Sequence, residues 1–154
     1  MHPHQQLIEQ FYTSFARLDA PGMISCYHEE VFFYDPVFEN LNAAEARAMW
    51  TMLCKNAKDF SLTYQKVEAD DEYGSCEWIA NYTFSATGRK VKNIVRAHFK
   101  FHEGKIIEHM DDFDFWRWSR QALGFKGLLL GWSGLVQGKV RKTAKGNLKR
   151  FMKN

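Results

Sequence analysis

The sequence predicts one α+β domain, in which helices come first and a meander of long antiparallel strands follows. Apolar residues recur at helical spacing before residue 60 and at every second position after it. Helices followed by a run of strands are typical of α+β folds. A chain of 154 residues, 45% of them hydrophobic, is long enough for one domain with its own core.

Helical signals fill the first third of the chain. Apolar spacing predicts helices over residues 4–18 and 43–57. Asp19 suits an N-cap for a short helix between them, which would carry Met23, Ile24 and Tyr27. Asn42 and Glu45 have the spacing of a capping box at the start of the later helix. A short strand is expected at 31–35, where the following Pro36 limits pairing.

The remainder of the body reads as a meander of long antiparallel strands. Gly88 and Gly104 are expected in the turns before the third and fourth of these strands. The predicted strands lie at about 60–69, 75–87, 90–102 and 105–115.

Charge divides the chain into an acidic body and a basic tail. Residues 1–115 hold 11 Lys and Arg against 18 Asp and Glu, whereas residues 116–154 hold 10 Lys and Arg and no acid. We therefore expect a domain over 1–115 and a helical, glycine-containing extension over 116–154. Its apolar stripe favours packing on the domain over membrane contact, and binding to nucleic acid ranks last. Leu128–Leu130 and Trp132 are expected to be buried.

Cysteine usage and the N-terminal segment indicate a cytoplasmic protein. Cys26, Cys54 and Cys76 form no cluster with metal-ligand spacing and leave an odd thiol in any pairing. The N-terminal segment has no basic stretch followed by an apolar one, as a signal peptide would. No glycine loop or nucleophile elbow is present, so the sequence implies no cofactor and no metal.

Two motifs resemble the ketosteroid-isomerase-like superfamily, also called nuclear-transport-factor-2-like, which includes SnoaL-like polyketide cyclases and limonene-epoxide hydrolases. Tyr34-Asp35-Pro36-Val37 is similar to the segment that carries the catalytic aspartate of ketosteroid isomerases. Residues 104–114 resemble the last strand of the epoxide hydrolases, in which an acidic residue enters the pocket. The resemblance covers about residues 5–115. It implies a cone-shaped fold, in which a curved antiparallel sheet packs on N-terminal helices and encloses a hydrophobic pocket, and it implies a catalytic role for Asp35.

The sequence departs from the family's enzymes at several positions. Phe11 stands where the isomerase has its oxyanion-hole tyrosine, and the neighbouring Tyr12 would point about 100° away on the helix. Ala97 stands near the position of the isomerase's protonated aspartate, and Arg96-Ala97-His98 lacks the Arg/Asp pair of the epoxide hydrolases. An efficient ketosteroid isomerase is therefore not expected.

Strand alternation selects the candidate site. His109, Asp111 and Phe113 share one face of the last strand, and the resemblance turns that face toward the pocket. We therefore predict catalytic roles for Asp35, His109 and Asp111, since carboxylates in an apolar cavity can serve as acid and base near neutral pH. Three alternatives remain: Asp35 starts a turn, His109 is a hydrogen-bonded core residue, or Asp111 is solvated at the pocket mouth. The predicted ligand-binding walls are Phe11, Phe15, Trp50, Trp78 and Phe113.

Two functions stay open at this point. One is an enzyme that isomerises, cyclises or hydrolyses a hydrophobic cyclic small molecule without a cofactor. The other is a non-catalytic ligand-binding or protein-interaction module of the same fold. The resemblance also implies a homodimer formed through the outer face of the sheet, where Arg96, His98 and Lys100 alternate with the inward-facing Ala97.

Overall fold

The computed structural model describes residues 1–124 and 134–154. The helices and strands of these residues are, in chain order, α1 (Pro3–Ala16), α2 (Ala20–Ile24), β1 (Tyr27–Asp35), β2 (Glu39–Leu41), α3 (Ala43–Asn56), β3 (Ser61–Ala69), β4 (Tyr73–Phe84), β5 (Arg89–His102), β6 (Lys105–Asp112), α4 (Phe115–Leu123) and α5 (Gly134–Lys153).

Side-chain caps fix the starts of the helices. Asp19 caps α2 by accepting a hydrogen bond from the Gly22 N–H at 3.1 Å. Asn42 and Glu45 form the reciprocal capping box of α3 that their spacing predicts. Tyr27, however, lies in β1 rather than on α2, because α2 ends three residues earlier at Ile24. The short helix prediction is therefore correct in position but too long.

The six strands form one curved, unclosed sheet in the order β2-β1-β6-β5-β4-β3. Strands β3 to β6 are the predicted antiparallel meander. The two-residue turn before β6 has positive φ at Glu103 (52°) and Gly104 (76°), as the tight hairpin requires. The sheet is not wholly antiparallel, since β1 pairs in parallel with β6 and antiparallel with β2.

The core lies between the concave face of the sheet and the helices. Alternate residues of β4, β5 and β6 are buried, and their neighbours point to the outer face. Ala97 is fully buried while Arg96 and His98 are exposed, as the alternation predicts. Helices α1 and α3 close the concave side with the fully buried side chains of Ile8, Phe11 and Met49.

The extension packs back on the domain. Asp114 caps α4 by accepting the Arg117 N–H at 3.0 Å. Leu148 of α5 is 3% exposed and joins the main core, against which Ala144 and Phe151 also pack. The expected burial of Leu128–Leu130 and Trp132 falls outside the described residues. No helix in the described ranges is long and apolar enough to cross a membrane.

Candidate functional site

The β6 residues His109 and Asp111 lie on the concave face of the sheet. They are 0% and 3% exposed, whereas the intervening Met110 is 47% exposed on the outer face. The strand pairing places His109 beside Phe33 of β1 and Phe99 of β5. The alternation expected from the sequence therefore brings His109 and Asp111 to one side of the sheet.

A buried chain of hydrogen bonds runs through His109. The Trp50 indole N–H donates to the Tyr27 hydroxyl oxygen at 2.8 Å, and that hydroxyl lies 2.7 Å from His109 Nδ1. On the other side of the ring, His109 Nε2 lies 2.9 Å from Asp111 Oδ1, which also accepts from the Trp78 indole N–H at 3.3 Å. The indole N–H groups of Trp50 and Trp78 are thus the donors at the two ends of this series of hydrogen bonds.

The direction of these bonds follows from the groups at each end. Asp111 Oδ1 accepts from the Trp78 indole N–H, so we assign the same oxygen as the acceptor of a hydrogen on His109 Nε2. Nδ1 then accepts from the Tyr27 hydroxyl. Burial raises the pKa of Tyr27 well above its usual value, which keeps that hydroxyl protonated and able to donate. In this arrangement every donor in the series of hydrogen bonds from Trp50 to Asp111 has an acceptor, as buried polar groups require.

Aromatic rings surround the His109 imidazole. Phe99 is 4.6 Å from it between ring centroids, Phe33 5.2 Å, Phe11 5.4 Å, and Trp50 stacks at 6.1 Å. The pocket expected at this depth is thus filled by the chain's own side chains. Four of the predicted wall residues, which are at most 7% exposed, belong to this packed core: Phe11, Phe15, Trp50 and Trp78.

Asp35 is the last residue of β1, and it lies on the same face of the strand as the buried Val31 and Phe33. Its Oδ1 accepts the backbone N–H groups of Val37 at 2.8 Å and Phe38 at 2.6 Å, so Asp35 does start a turn. Its pKa is nevertheless raised to about 7, chiefly by burial and further by the charge of Asp111, although the two N–H bonds act in the opposite direction.

Three partly buried side chains, Val37, Tyr82 and Phe113, lie between the main core and a second apolar cluster, and we call this region the mouth. Phe113, the fifth predicted wall residue, is half-buried there. Together with Val37 and Tyr82 it packs against both the main core and a second cluster formed by Val91, Phe115, Trp118 and Ala122. Asp35, two residues before Val37, is also only partly buried, whereas His109 and Asp111 are buried.

Sequence reasoning missed Tyr27 and underestimated Tyr12. Tyr12 is fully buried beside Phe11, and its hydroxyl has no geometrically acceptable hydrogen bond within the described chain, although the Cys76 thiol lies beside it. Burial, with smaller contributions from Cys76 and Asp111, raises the pKa of Tyr12 well above its usual value. The helical angle between Phe11 and Tyr12 did not reveal that both side chains point into the core.

A histidine and glutamate cluster lies where the turn between β5 and β6 meets the start of β1. Ligand atoms of His28, His102 and Glu103 lie within 4.8 Å of one another. His28 Nδ1 accepts the Glu30 N–H at 3.0 Å, so Nε2 carries the hydrogen that bonds Glu103 at 2.9 Å. Because that nitrogen has no free lone pair, the cluster is a hydrogen-bonded group and a poor match to a metal site.

Comparison with known proteins agrees with this fold. Residues 8–109 match the family model described as the SnoaL-like domain. No curated protein matches the chain significantly. TsrD from Streptomyces laurentii is 22% identical with a TM-score of 0.67, over 79% of this chain and 95% of its own.

Two further solved structures are similar in fold. A protein proposed to be a polyketide cyclase, from a Silicibacter species, is 19% identical with a TM-score of 0.67, over 76% of this chain and 93% of its own. An LEH-like epoxide hydrolase from M. tuberculosis is 18% identical with a TM-score of 0.64, over 87% of this chain and 95% of its own. At these identities the similarity establishes the fold alone.

Proposed function

Since the chain belongs to the SnoaL-like domain family, we propose that it acts on a hydrophobic, cyclic small molecule by proton transfer at Asp35. The observation that carries the proposal is the position of this carboxyl group on the concave face, at an apolar mouth and close enough to Asp111 to feel its charge. A carboxyl group with a pKa of about 7 is present in both protonation states near neutral pH. Asp35 can therefore both remove and return a proton.

The mouth indicates what kind of molecule would bind. Its side chains Val37, Tyr82 and Phe113 are apolar or aromatic, and all three are only partly buried. A rigid hydrophobic ring system would cover them and exclude water from Asp35. We therefore place the ligand at the mouth, above the packed rings that surround His109.

The buried residues His109 and Asp111 would influence the pKa of Asp35 without contacting the ligand. His109 is held by Tyr27 on one side and Asp111 on the other, and neither His109 nor Asp111 is exposed enough to meet a ligand at the mouth directly. The charge of Asp111 raises the pKa of Asp35, so the pair would adjust the basicity of the group that touches substrate. In this proposal His109 and Asp111 are positioning residues.

Two reaction types fit such a carboxylate. It can take a proton from the carbon beside a carbonyl, leaving an enolate that is reprotonated elsewhere or closes a ring. It can instead take a proton from water while the oxygen of that water bonds to an epoxide carbon. The ring C–O bond at that carbon then breaks, and the alkoxide that is formed takes the proton back from Asp35. The named activities of the similar structures, a proposed polyketide cyclase and an epoxide hydrolase, include one of each type.

Isotope incorporation tests both reactions across whole classes of substrate. Panels of cyclic ketones and of cyclic epoxides would be incubated with the protein in D₂O and in H₂¹⁸O, respectively, and analysed by mass spectrometry. We expect enzyme-dependent incorporation for one panel and its loss, by 100-fold or more (on the order expected for a catalytic base), in Asp35→Asn. The Asn side-chain oxygen can still accept the Val37 and Phe38 N–H groups, so the turn is retained.

Asp112→Asn is the matched control, because Asp112 is an exposed residue on the outer face of the same sheet. Equal incorporation by wild type and Asp35→Asn, or equal loss in Asp112→Asn, would contradict the role of Asp35.

A second function is favoured by the aromatic filling of the interior. With His109 fully enclosed by rings, the fold also suits a module that binds a ligand or a protein without turning it over. That function predicts ligand-dependent thermal stabilisation with no isotope incorporation, and equal ligand affinity in wild type and Asp35→Asn.

We also propose that the protein works in a reducing, cytoplasmic compartment. This is supported by the three buried cysteines, Cys26, Cys54 and Cys76, all of which are free thiols.

A further inference from the structure

Helix α5 turns a strongly basic face away from the domain. Its twenty residues hold seven Lys and Arg and no acid. Arg141 and Lys145 point toward the domain, where they bind the Pro36 carbonyl oxygen and the Glu39 carboxylate. The exposed cations, which we call the basic face, are Lys139, Lys142, Lys149, Arg150 and Lys153.

The basic face forms a continuous strip. At about 100° per residue its five side chains fall within an arc of roughly 100°, and they span about 21 Å of helix between Lys139 and Lys153. None of its lysines has an ion-pair partner within 4.0 Å in the described residues. Within residues 1–124 and 134–154 this positive charge is therefore not neutralised by an ion pair, and it is directed at solvent.

The apolar stripe of α5 is already used by the fold. Leu148 is buried, and Ala144 and Phe151 pack on the main core. The helix therefore cannot lie deep in a bilayer on its apolar side without leaving the domain. What remains available is an electrostatic contact made by the face opposite the stripe.

Exposed apolar side chains at the ends of α5 favour a lipid surface over nucleic acid. Leu135, on the same side of the helix as the basic face, is 84% exposed, and Met152 in the last turn is 44% exposed. A phosphodiester backbone offers such side chains no apolar partner, whereas the interface of a bilayer accepts both apolar side chains and the lysine ammonium groups near them.

We propose that the basic face of α5 docks the folded protein on an anionic lipid surface, with Leu135 entering the interface. The contact is peripheral and reversible, it leaves the mouth and the packing of α5 unchanged, and it does not depend on the proposed proton transfer. A single basic residue near such a surface contributes a factor of about five in binding.

Co-sedimentation with vesicles tests this proposal on the intact 154-residue chain. Vesicles of equal parts phosphatidylglycerol and phosphatidylcholine should bind the protein, pure phosphatidylcholine vesicles should not, and binding should weaken strongly between about 0.1 and 0.5 M salt. Replacing Lys139, Lys142, Lys149 and Lys153 together by Gln should weaken binding by about 100-fold or more. Leu135→Ser should weaken it several-fold at all salt concentrations.

The matched control variant removes four lysine charges from surfaces outside α5. Lys58, Lys66, Lys90 and Lys92 are exposed outside α5, and replacing these four by Gln should change vesicle binding far less. Circular dichroism and thermal melting of both quadruple variants confirm that the fold is retained.

Three results would overturn the proposal. They are equal binding to the neutral vesicles, an equal loss in the two quadruple variants, and tighter binding of wild type to a short DNA duplex than to the anionic vesicles. Asp35→Asn should bind the vesicles as wild type does, so failure of the proposed catalysis leaves this test intact.

Discussion

The carboxyl group of Asp35 is subject to opposing influences. Two short N–H bonds from Val37 and Phe38 stabilise its charged form, while burial and the charge of Asp111 destabilise it. Burial is the largest of these effects, so the pKa is about 7 instead of 3.8. A residue that only started a turn would experience the N–H bonds without this opposition, and its pKa would be lowered.

This balance predicts how stability depends on pH. The pKa of Asp35 is higher in the folded than in the unfolded chain, so the folded state binds more protons between about pH 4 and 7. The contribution of Asp35 to the free energy of unfolding therefore decreases as pH rises through this window. Asp35→Asn removes the cost of the buried charge and should stabilise the protein at pH 8 by ~1–2 kcal/mol, after allowance for solvent screening, with little effect at pH 4.

Denaturant unfolding of wild type and Asp35→Asn at the two pH values measures the effect. Destabilisation by the substitution at pH 8 would mean that the carboxylate stabilises the fold, and that only its role in the turn matters.

Sequence reasoning found some of the site residues and missed others for identifiable reasons. The period of two in β6 is a local signal, and it correctly placed His109 and Asp111 on one face while Met110 points outward. Tyr27 and His109 are 82 residues apart, and their contact exists only because β1 pairs with β6. No local spacing in the sequence predicts that Tyr27 and His109 are in contact.

At the scale of secondary-structure elements, α5 binds the segment that follows Asp35 through Arg141 and Lys145. The Arg141 Nε–H donates to the Pro36 carbonyl oxygen at 2.8 Å, and the guanidinium lies 5.7 Å from the centre of the Phe115 ring. Lys145 pairs with Glu39, whose φ of 58° is uncommon for a residue with a side chain. The turn between β1 and β2 is thus held from inside by Asp35 and from outside by α5.

Removing the Arg141 hydrogen bond to Pro36 should make the turn between β1 and β2 open more often. Arg141→Ala deletes a hydrogen bond from a charged donor, worth ~1.5 kcal/mol, and so should speed amide hydrogen exchange of Val37 and Phe38 about 10-fold. Lys142→Ala is the control, because its exposed side chain is next in sequence but faces solvent. Unchanged exchange in Arg141→Ala, or the same increase in both variants, would show that α5 does not hold this turn.

Most of the larger elements could be predicted from the sequence. Capping residues and periodicity identified α1, α2, α3 and the β3–β6 meander, since these signals arise from neighbours along the chain. β2 was not predicted because three residues, Glu39–Leu41, are too few to show a period. The parallel pairing of β1 with β6 was also not predicted, because parallel partners are joined by long connections with no local signature.

At the scale of the whole molecule, the outer face of the sheet carries an exposed apolar patch. Phe32 and Met110 are 41% and 47% exposed on neighbouring strands, with His98 of β5 opposite Met110. Exposed apolar side chains in the middle of a sheet favour association with another surface. A homodimer with twofold symmetry through this face therefore stays our prediction.

Sedimentation velocity tests it with a matched pair of variants. Met110→Glu would place a charge in the proposed interface and should convert a dimer at about 10 μM to a monomer, since an unpaired buried charge costs several kcal/mol. Met152→Glu makes the same change at a similarly exposed position on α5 and should leave the dimer intact. Monomeric wild type at this concentration, or dissociation by both variants, would contradict the predicted interface.

Charge segregation is a whole-molecule property that the sequence displayed directly. An acidic body and a basic tail attract each other, and the Lys145–Glu39 pair is one such contact. The sequence could not tell which cations would face the domain, because that depends on the rotation of α5 about its axis. The packing of Leu148 on the core sets that rotation, and it leaves the basic face exposed.

The central claim is that Asp35 exchanges its proton near neutral pH under the influence of Asp111. Site-resolved NMR titration of the Asp35 side-chain carboxyl carbon measures this directly. We expect a midpoint near pH 7 in wild type and a lower midpoint in Asp111→Asn, which removes the neighbouring charge but keeps an oxygen for His109. A wild-type midpoint near pH 4, unchanged in Asp111→Asn, would contradict it.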